Sequence, residues 1–121
     1  MAISRILVVD DSPTERFFLS ELLVKNGYLV SMAESGEEAV AQAKQTQPDL
    51  IVMDVVMPGM NGYQATRMIT KEEATKNIPV IMCTTKGQET DKVWGMRQGA
   101  KAYLVKPIKP EDLLAQIKAL G

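Results

Sequence analysis

The sequence has no histidine and a single cysteine, Cys83, among its 121 residues. The absence of histidine excludes Ser-His-Asp and Cys-His catalysis, histidine metal ligands and phosphorylation of this chain on histidine. A single cysteine excludes an internal disulfide bond and a Cys-x-x-Cys motif. A protein that needs no disulfide suits a reducing compartment, and we expect Cys83, which lies within an apolar run, to be an inert buried thiol.

The sequence also lacks a long apolar run and a marked excess of charge of either sign. No run reaches the roughly 20 apolar residues that cross a bilayer, and no signal peptide precedes the first periodic segment. Lys and Arg number 14 and Asp and Glu number 15, so the basic footprint that nucleic acid or an anionic membrane would need is missing. We therefore expect a cytoplasmic protein with no nucleic-acid partner and no membrane insertion.

What the sequence does contain is typical of one globular domain. Hydrophobic residues make up 45% of the chain and charged residues 24%, which is an ordinary balance. The length is also that of a single domain, and no linker or shift in composition divides the chain. We expect one domain over residues 1–121 and no output domain.

Short apolar runs alternate with amphipathic segments along the whole chain. The first run is rich in β-branched residues and suits a strand that is buried on both faces. Five runs predict five strands, at residues 6–9, 28–33, 50–53, 79–83 and 103–105. Because strands and helices alternate strictly, we expect an α/β fold with a parallel sheet and helices on both faces.

The segments between the runs carry signals for the start of a helix. Ser12 and Ser35 each open an expected capping box, and residues 61–64 can cap a third helix. A weaker helix is expected at about residues 89–98, where Gly95 costs roughly 1 kcal/mol relative to alanine. Pro110 begins the last helix.

The methionines and the single tryptophan have different expected environments. Met53, Met68 and Met82 fall in core patterns, so we expect them to fill the core rather than a cofactor site. The segment 93–98 has no clean apolar stripe. Trp94 is therefore either exposed as part of a partner surface or partly buried by ordinary packing.

Polar residues stand at the carboxyl ends of four predicted strands: Asp10 and Asp11, Asp54, Thr84, and Lys106. Ligands of open parallel sheets bind outside this edge. Each residue alone has an ordinary structural explanation, but five polar groups converging on one edge are hard to explain in that way. Since Ser12 already caps the first helix, we expect Asp10 and Asp11 to be left free.

Three carboxylates packed together repel one another unless a cation is present. Mg²⁺ fits this expected cluster best, because it takes few carboxylates and leaves room for phosphate oxygens, whereas no His or Cys cluster favours zinc. Lys106 and the Thr84 hydroxyl would stabilise a phosphoryl group at a carboxylate. A carboxylate can itself be the nucleophile and form an aspartyl-phosphate.

The pattern of Asp10-Asp11, Asp54, Thr84 and Lys106-Pro107 resembles that of response-regulator receiver domains, and the resemblance covers essentially the whole chain. The segment 54–62 is very similar to the family's segment after its phosphorylation site. The chain is similar to stand-alone CheY-like receivers, and segments 11–15 and 84–95 resemble the PilH-type receivers of type IV pilus (twitching-motility) systems. The resemblance implies a flavodoxin-like, CheY-like sheet in strand order 2-1-3-4-5 with five helices.

The resemblance also implies roles for the residues of the acidic cluster. Asp54 would be the phosphoacceptor. Asp11 and Asp54 would give carboxylate ligands to Mg²⁺, and Val56 would give its backbone carbonyl. Asp10 would act at or near the metal.

Further implied roles concern the residues that respond to phosphorylation. Lys106 would contact the phosphoryl group, and the Lys106–Pro107 peptide bond would be cis. Thr84 would bond the phosphoryl group on activation, and Tyr103 matches the aromatic switch residue that turns inward when the threonine moves. Val56 is apolar where the best-known chemotaxis receiver has a polar side chain near the attacking water. We therefore expect a longer phospho-aspartate lifetime than in a fast-cycling receiver.

The function implied is a single-domain response regulator rather than an enzyme. A histidine kinase, CheA-like or other, would phosphorylate it, and it would act as a monomer or weak dimer on an output protein, with the pilus machinery as a candidate. A phosphate sink for a shared kinase and a phosphorylation-independent binding module are alternatives within the family. A Mg²⁺-dependent phosphatase lacks an evident cap domain and substrate pocket here, and the acidic first loop disfavours a flavin site.

Overall fold

The computed structural model describes residues 2–121 as alternating strands and helices. The strands are β1 (Arg5–Val9), β2 (Leu29–Ala33), β3 (Leu50–Met53), β4 (Val80–Thr84) and β5 (Ala102–Val105). The helices are α1 (Pro13–Lys25), α2 (Gly36–Thr46), α3 (Gly62–Lys71), α4 (Glu89–Arg97) and α5 (Pro110–Leu120). All strand pairs are parallel and the order is β2-β1-β3-β4-β5, so the predicted fold class is confirmed.

The two faces of the sheet are buried under different helices. Ile6 and Val8 of β1 point to the face covered by α1 and α5, while Leu7 and Val9 point to the face covered by α2 and α3. Met82 of β4 packs near the α4 end of that second face, in a smaller cluster with Tyr103. Because both faces are covered at the centre of the sheet, the central strands β1, β3 and β4 read as continuous apolar runs rather than alternating ones.

The prediction of a full capping box at the start of α1 is wrong, because only one of its two hydrogen bonds forms. The Ser12 Oγ accepts a hydrogen bond from the Glu15 N–H at 3.3 Å, as a helix N-cap does. The reciprocal bond is missing, because the Ser12 N–H donates to Asp10 Oδ1 at 3.0 Å instead of to Glu15. The Asp10 carboxylate therefore takes the donor that the reciprocal bond of a capping box would use.

The other two predicted helix starts differ from each other. Ser35 Oγ accepts from the Glu38 N–H at 3.1 Å, which gives an N-cap but not the expected full box. At α3 the box is complete, since Asn61 and Gln64 exchange two hydrogen bonds of 2.9 Å each. This complete cap fixes the start of α3 directly after the loop that follows Asp54.

Most expectations for individual apolar residues are confirmed, with one exception. Met53 and Met82 are fully buried, but Met68 is 44% exposed, because the buried side of α3 is made by Ala65, Thr66 and Ile69. Cys83 is buried, and burial raises its pKa to about 12, so it remains a neutral thiol at physiological pH. Trp94 is about half exposed, at 49%. No helix within residues 2–121 has the length and apolarity needed to cross a bilayer.

A carboxylate clamp holds the amino end of the sheet. Asp49 Oδ2 accepts hydrogen bonds from the Arg5 N–H at 2.9 Å, from the Ser4 N–H at 3.0 Å and from the Ser4 hydroxyl at 3.1 Å. These bonds, that from Arg5 first, hold the pKa of Asp49 below its ordinary value of 3.8. The clamp therefore joins the start of β1 to the residue before β3 at the end of the sheet opposite the polar cluster.

Replacing this carboxylate tests how much the clamp contributes. We expect Asp49→Asn to lower the free energy of unfolding at pH 7 by about 1 kcal/mol, since the site is partly exposed and water screens it. The ionised carboxylate stabilises the fold fully above its ordinary pKa, and this contribution is lost as the pH falls through the lowered pKa. Urea denaturation at pH 7 and at steps down to pH 3 should show the two proteins converging. A constant difference across this range would contradict the assignment.

Candidate functional site

Three carboxylates meet at the carboxyl end of the sheet. Asp10 and Asp11 directly follow β1, and Asp54 directly follows the neighbouring strand β3. One carboxylate oxygen of each residue lies within 4.8 Å of those of the other two. Asp10 and Asp54 are buried, whereas Asp11 is exposed. The predicted convergence of these three side chains is therefore present in the structure.

Lys106 lies between the two buried carboxylates. Its Nζ is 2.8 Å from Asp10 Oδ2, to which it donates a hydrogen bond, and 3.7 Å from Asp54 Oδ2. The other oxygen of Asp10 accepts the Ser12 N–H. The expectation that capping by Ser12 leaves Asp10 free is therefore wrong, because both Asp10 oxygens have partners within the chain. Asp11 is the acidic residue that faces solvent.

The pKa shifts of Asp54 and Lys106 reflect the opposing effects of burial and of the neighbouring charges. Burial, and then repulsion by Asp10, raise the pKa of Asp54, although Lys106 and the N–H groups of Val55 and Val56 oppose this. Burial works against the charge of Lys106, but the hydrogen bond to Asp10 and the attraction of Asp54 outweigh it and raise its pKa. One lysine cannot balance three carboxylates. The cluster therefore retains an excess of negative charge in a partly buried place.

The donor set fits a hard divalent cation. Carboxylate oxygens are the ligands that Mg²⁺ prefers, and a divalent charge removes the repulsion that raises the pKa of Asp54. Asp11 and Asp54 offer the oxygens that Lys106 does not already hold at hydrogen-bond distance. Asp54 Oδ1 also accepts the Val55 N–H at 2.8 Å, which orients the carboxylate.

Thr84 and Tyr103 are joined through the main chain of one residue. Thr84 is fully buried at the end of β4, and its hydroxyl accepts the Lys86 N–H at 3.3 Å. The Lys86 carbonyl accepts the Tyr103 hydroxyl proton at 2.7 Å. The Lys106 N–H donates to the Thr84 carbonyl at 2.8 Å, which sets β4 and β5 in register beside the cluster. Thr84 thus lies on the same edge as the acidic cluster.

The Lys106–Pro107 peptide bond and the Val56 side chain both lie close in sequence to residues of the site. The Lys106–Pro107 peptide bond is cis, as the resemblance implied. The Val56 side chain follows Asp54 by two residues, is 55% exposed and carries no hydrogen-bonding group.

Arg16 is a site residue that the sequence reasoning missed. Its Nη1 donates to the Asp10 carbonyl at 2.7 Å, and its Nη2 pairs with Glu34 at 3.3 Å. The guanidinium therefore ties the start of the acidic loop to α1 and to the loop after β2. The sequence places Arg16 one helical turn after Ser12, but this spacing does not show that the Asp10 carbonyl lies within reach of its guanidinium.

Gly62 is the second residue that sequence reasoning missed. A Cβ at this position would lie 2.0 Å from the Asp54 carbonyl oxygen and 2.7 Å from Val55 Cα. The Gly62 N–H donates to the Val55 carbonyl at 2.9 Å. Only glycine lets α3 begin this close to the main chain of Asp54. The nearest sequence signals were the resemblance of segment 54–62 and the predicted cap at residues 61–64, neither of which reveals how closely α3 approaches Asp54.

Comparison with known sequences gives one consistent family. Residues 6–118 match the family described as the response regulator receiver domain. Protein PilH of Pseudomonas aeruginosa is 57% identical over 117 residues, which cover 97% of this chain and 97% of PilH. The phosphate regulon transcriptional regulatory protein PhoB of Escherichia coli is 40% identical over 116 residues, 96% of this chain and 51% of PhoB. The chain thus spans about half the length of PhoB.

Comparison with solved structures gives the same family as the sequence comparison. The chemotaxis protein CheY4 of Vibrio cholerae superposes with a TM-score of 0.91 and 36% identity, covering 99% of this chain and 100% of that one. The receiver domain of sensor histidine kinase PA1611 from Pseudomonas aeruginosa gives 0.90 and 31%, covering 98% of each chain. That structure holds a magnesium ion coordinated in the active-site cleft.

Gly62→Ala tests whether close packing on Asp54 shapes the site. The added methyl group must push α3 away from the Asp54 main chain, so we expect a loss of roughly 1–3 kcal/mol in the free energy of unfolding. Because Asp54 moves, the rise in melting temperature that Mg²⁺ produces should also shrink. Thermal unfolding with and without Mg²⁺ measures both effects.

Gly27→Ala is the matched control. Gly27 has a φ of +91°, but a Cβ there meets no atom within 4 Å. We expect a cost of about 1–2 kcal/mol from backbone strain, with an unchanged Mg²⁺ effect. An equal loss of the Mg²⁺ effect in both variants would contradict a specific role for Gly62.

Proposed function

Because this chain belongs to the response regulator receiver domain family, a family of signalling switches, we propose that Asp54 accepts a phosphoryl group with the help of Mg²⁺. The phosphorylated chain then changes its contacts with other proteins. The observation that carries this proposal is the arrangement of Lys106 between Asp10 and Asp54, with Asp11 exposed beside them. This arrangement combines a nucleophilic carboxylate, a lysine ammonium group 3.7 Å from it and a cluster of oxygens that suits a metal.

We assign the metal-binding roles from this geometry and from the family. Asp11 and Asp54 would hold Mg²⁺ through carboxylate oxygens, and Val56 through its backbone carbonyl. Asp10, whose two oxygens already have partners, acts beside the metal and orients Lys106. When bound, Mg²⁺ neutralises the carboxylates and the charge on the phosphoryl oxygens.

The remaining residues act on the phosphoryl group. An oxygen of Asp54 attacks phosphorus and the donor leaves, which produces an aspartyl-phosphate. Lys106 stabilises the charge on the transferred group. The Thr84 hydroxyl accepts the Lys86 N–H but keeps its own proton, so it can donate to a phosphoryl oxygen. Movement of Thr84 then shifts the Lys86 peptide group, whose carbonyl accepts the hydrogen bond from Tyr103, so the movement alters the position of Tyr103.

The partners follow from the family and from the relative found. We propose a histidine kinase, CheA-like or other, as the phosphoryl donor in the cytoplasm. The likeness to PilH supports type IV pilus motility control as the process and an output protein of that system as the target. We further propose that residues 1–121 act as a single receiver domain, without catalysis beyond their own phosphorylation and dephosphorylation.

Intact-mass spectrometry after treatment with acetyl phosphate tests the central claim. We expect one added phosphoryl mass on the wild-type protein in the presence of Mg²⁺, and none when the metal is removed with a chelator. Asp54→Ala should abolish the adduct. Asp49→Asn, which changes an aspartate at the opposite end of the sheet, should retain it. An adduct that persists in Asp54→Ala would place the chemistry elsewhere.

The lifetime of the phosphorylated state tests the role of Val56. A valine cannot orient an attacking water, whereas an asparagine at this exposed position can. We therefore expect Val56→Asn to shorten the lifetime of phospho-Asp54 by several fold, measured as decay of the adduct after the donor is removed. Val24→Asn, at an equally exposed valine on α1, should leave the lifetime unchanged. Equal lifetimes in wild type and Val56→Asn would exclude this role.

A further inference from the structure

Two tyrosine hydroxyls meet over the segment that joins β4 to α4. Tyr103, on β5, donates to the Lys86 carbonyl at 2.7 Å. Tyr63, on α3, donates to the Asp91 carbonyl in the first turn of α4 at 3.1 Å. Both tyrosines therefore hold main-chain carbonyls of one short stretch, residues 86–91, which begins two residues after Thr84.

The two tyrosine hydroxyls make three contacts but have only two protons to donate. The oxygens of Tyr63 and Tyr103 lie 3.4 Å apart, which makes a third contact. A tyrosine hydroxyl has one proton to donate but can also accept. While both protons are used on carbonyls, the contact between the tyrosines has none. If Tyr103 releases Lys86, its proton can turn to the oxygen of Tyr63.

The packing around these rings leaves Tyr103 little freedom. Tyr63 is 8% exposed and shares a buried cluster with Met82, against which the partly buried Tyr103 packs. A Cβ on Gly95 of α4 would lie 2.8 Å from Tyr103 Cδ2 and 2.9 Å from Met82 Sδ, so α4 rests directly on the ring. Burial, and then the hydrogen bond with Tyr63, raise the pKa of Tyr103. Its hydroxyl therefore stays protonated and able to donate.

We propose that Tyr63 is a positioning residue for Tyr103, because its hydroxyl ties the first turn of α4 to α3 and offers Tyr103 a second acceptor beside the Lys86 carbonyl. The inference rests on the proposed function, in which movement of Thr84 shifts the Lys86 peptide. With Tyr63 present, Tyr103 keeps a hydrogen-bond partner inside the cluster when Lys86 moves. Without the Tyr63 hydroxyl, Tyr103 leaves its packed position more readily.

Tyr63→Phe tests this directly, since it keeps the ring and removes only the hydroxyl. The chain has three tyrosines, so ¹⁹F NMR of protein labelled with 3-fluorotyrosine can follow each one after assignment with Tyr→Phe variants. We expect the Tyr103 resonance to move toward that of an exposed tyrosine, with the packed population falling roughly three- to tenfold relative to the exposed one. Amide hydrogen exchange in residues 89–95 should become faster by a similar factor.

Tyr28→Phe is the matched control. The Tyr28 hydroxyl takes part in none of the tyrosine hydrogen bonds found within residues 2–121, and its ring packs on the opposite face of the sheet. We expect the Tyr103 resonance and the exchange of α4 to match the wild-type protein. If Tyr63→Phe also matches the wild type in both measurements, Tyr63 only fills space and the inference is overturned.

The test separates this inference from the proposed function. Tyr63→Phe should reach the same phosphoryl occupancy on Asp54 as wild type with acetyl phosphate and Mg²⁺, measured by intact mass. Normal occupancy with an unchanged Tyr103 resonance would reject the role of Tyr63 alone. If the wild-type protein itself is not phosphorylated, the proposed function fails, while the ¹⁹F comparison without a phosphoryl donor still decides whether Tyr63 positions Tyr103.

Discussion

The structure depends on one electrostatic arrangement, in which Lys106 partly compensates two carboxylates that neighbouring parallel strands bring together. Neighbouring strands β1 and β3 end at the same edge, so Asp10 and Asp54 cannot avoid each other once the sheet forms. The ion pair of Lys106 with Asp10 needs β5 and the following loop in place. Ser12 and Arg16 then fix the acidic loop through hydrogen bonds to Asp10, and the Ser12 hydroxyl also caps α1. The site and the first helix therefore share residues.

The fold was predictable because the spacing of the apolar residues and the signals for helix starts and ends agree along the chain. Apolar runs buried on both faces alternate with capped amphipathic segments, and that pattern allows few arrangements. The gathering of Asp10, Asp11 and Asp54 followed from the geometry of parallel strands. The prediction failed where two groups compete for one donor, as Asp10 and Glu15 do for the Ser12 N–H. It also failed at Met68, because a narrow buried stripe on α3 excludes a residue that simple apolarity favours.

Residues that act on the main chain were the hardest to foresee. Arg16, Gly62 and Tyr63 each contact a backbone carbonyl or the space beside one, and no sequence pattern marks which carbonyl lies within reach. The link from Thr84 to Tyr103 runs through the Lys86 peptide, whose two groups would be the same for almost any residue type. Side-chain motifs therefore predicted where the acidic cluster lies, whereas the main-chain contacts around it are visible only in the three-dimensional structure.

The long separation between Lys106 and its partners has a consequence for synthesis of the chain on the ribosome. The ion pair joins residues 96 positions apart, and the acidic residues are made first. An emerging chain can pair β1 with β3, and thus bring Asp10 near Asp54, well before Lys106 leaves the exit tunnel. Until then the uncompensated carboxylates oppose closure of this edge. The lysine therefore relieves part of this repulsion, and it does so only after the strands that carry its partners have been made.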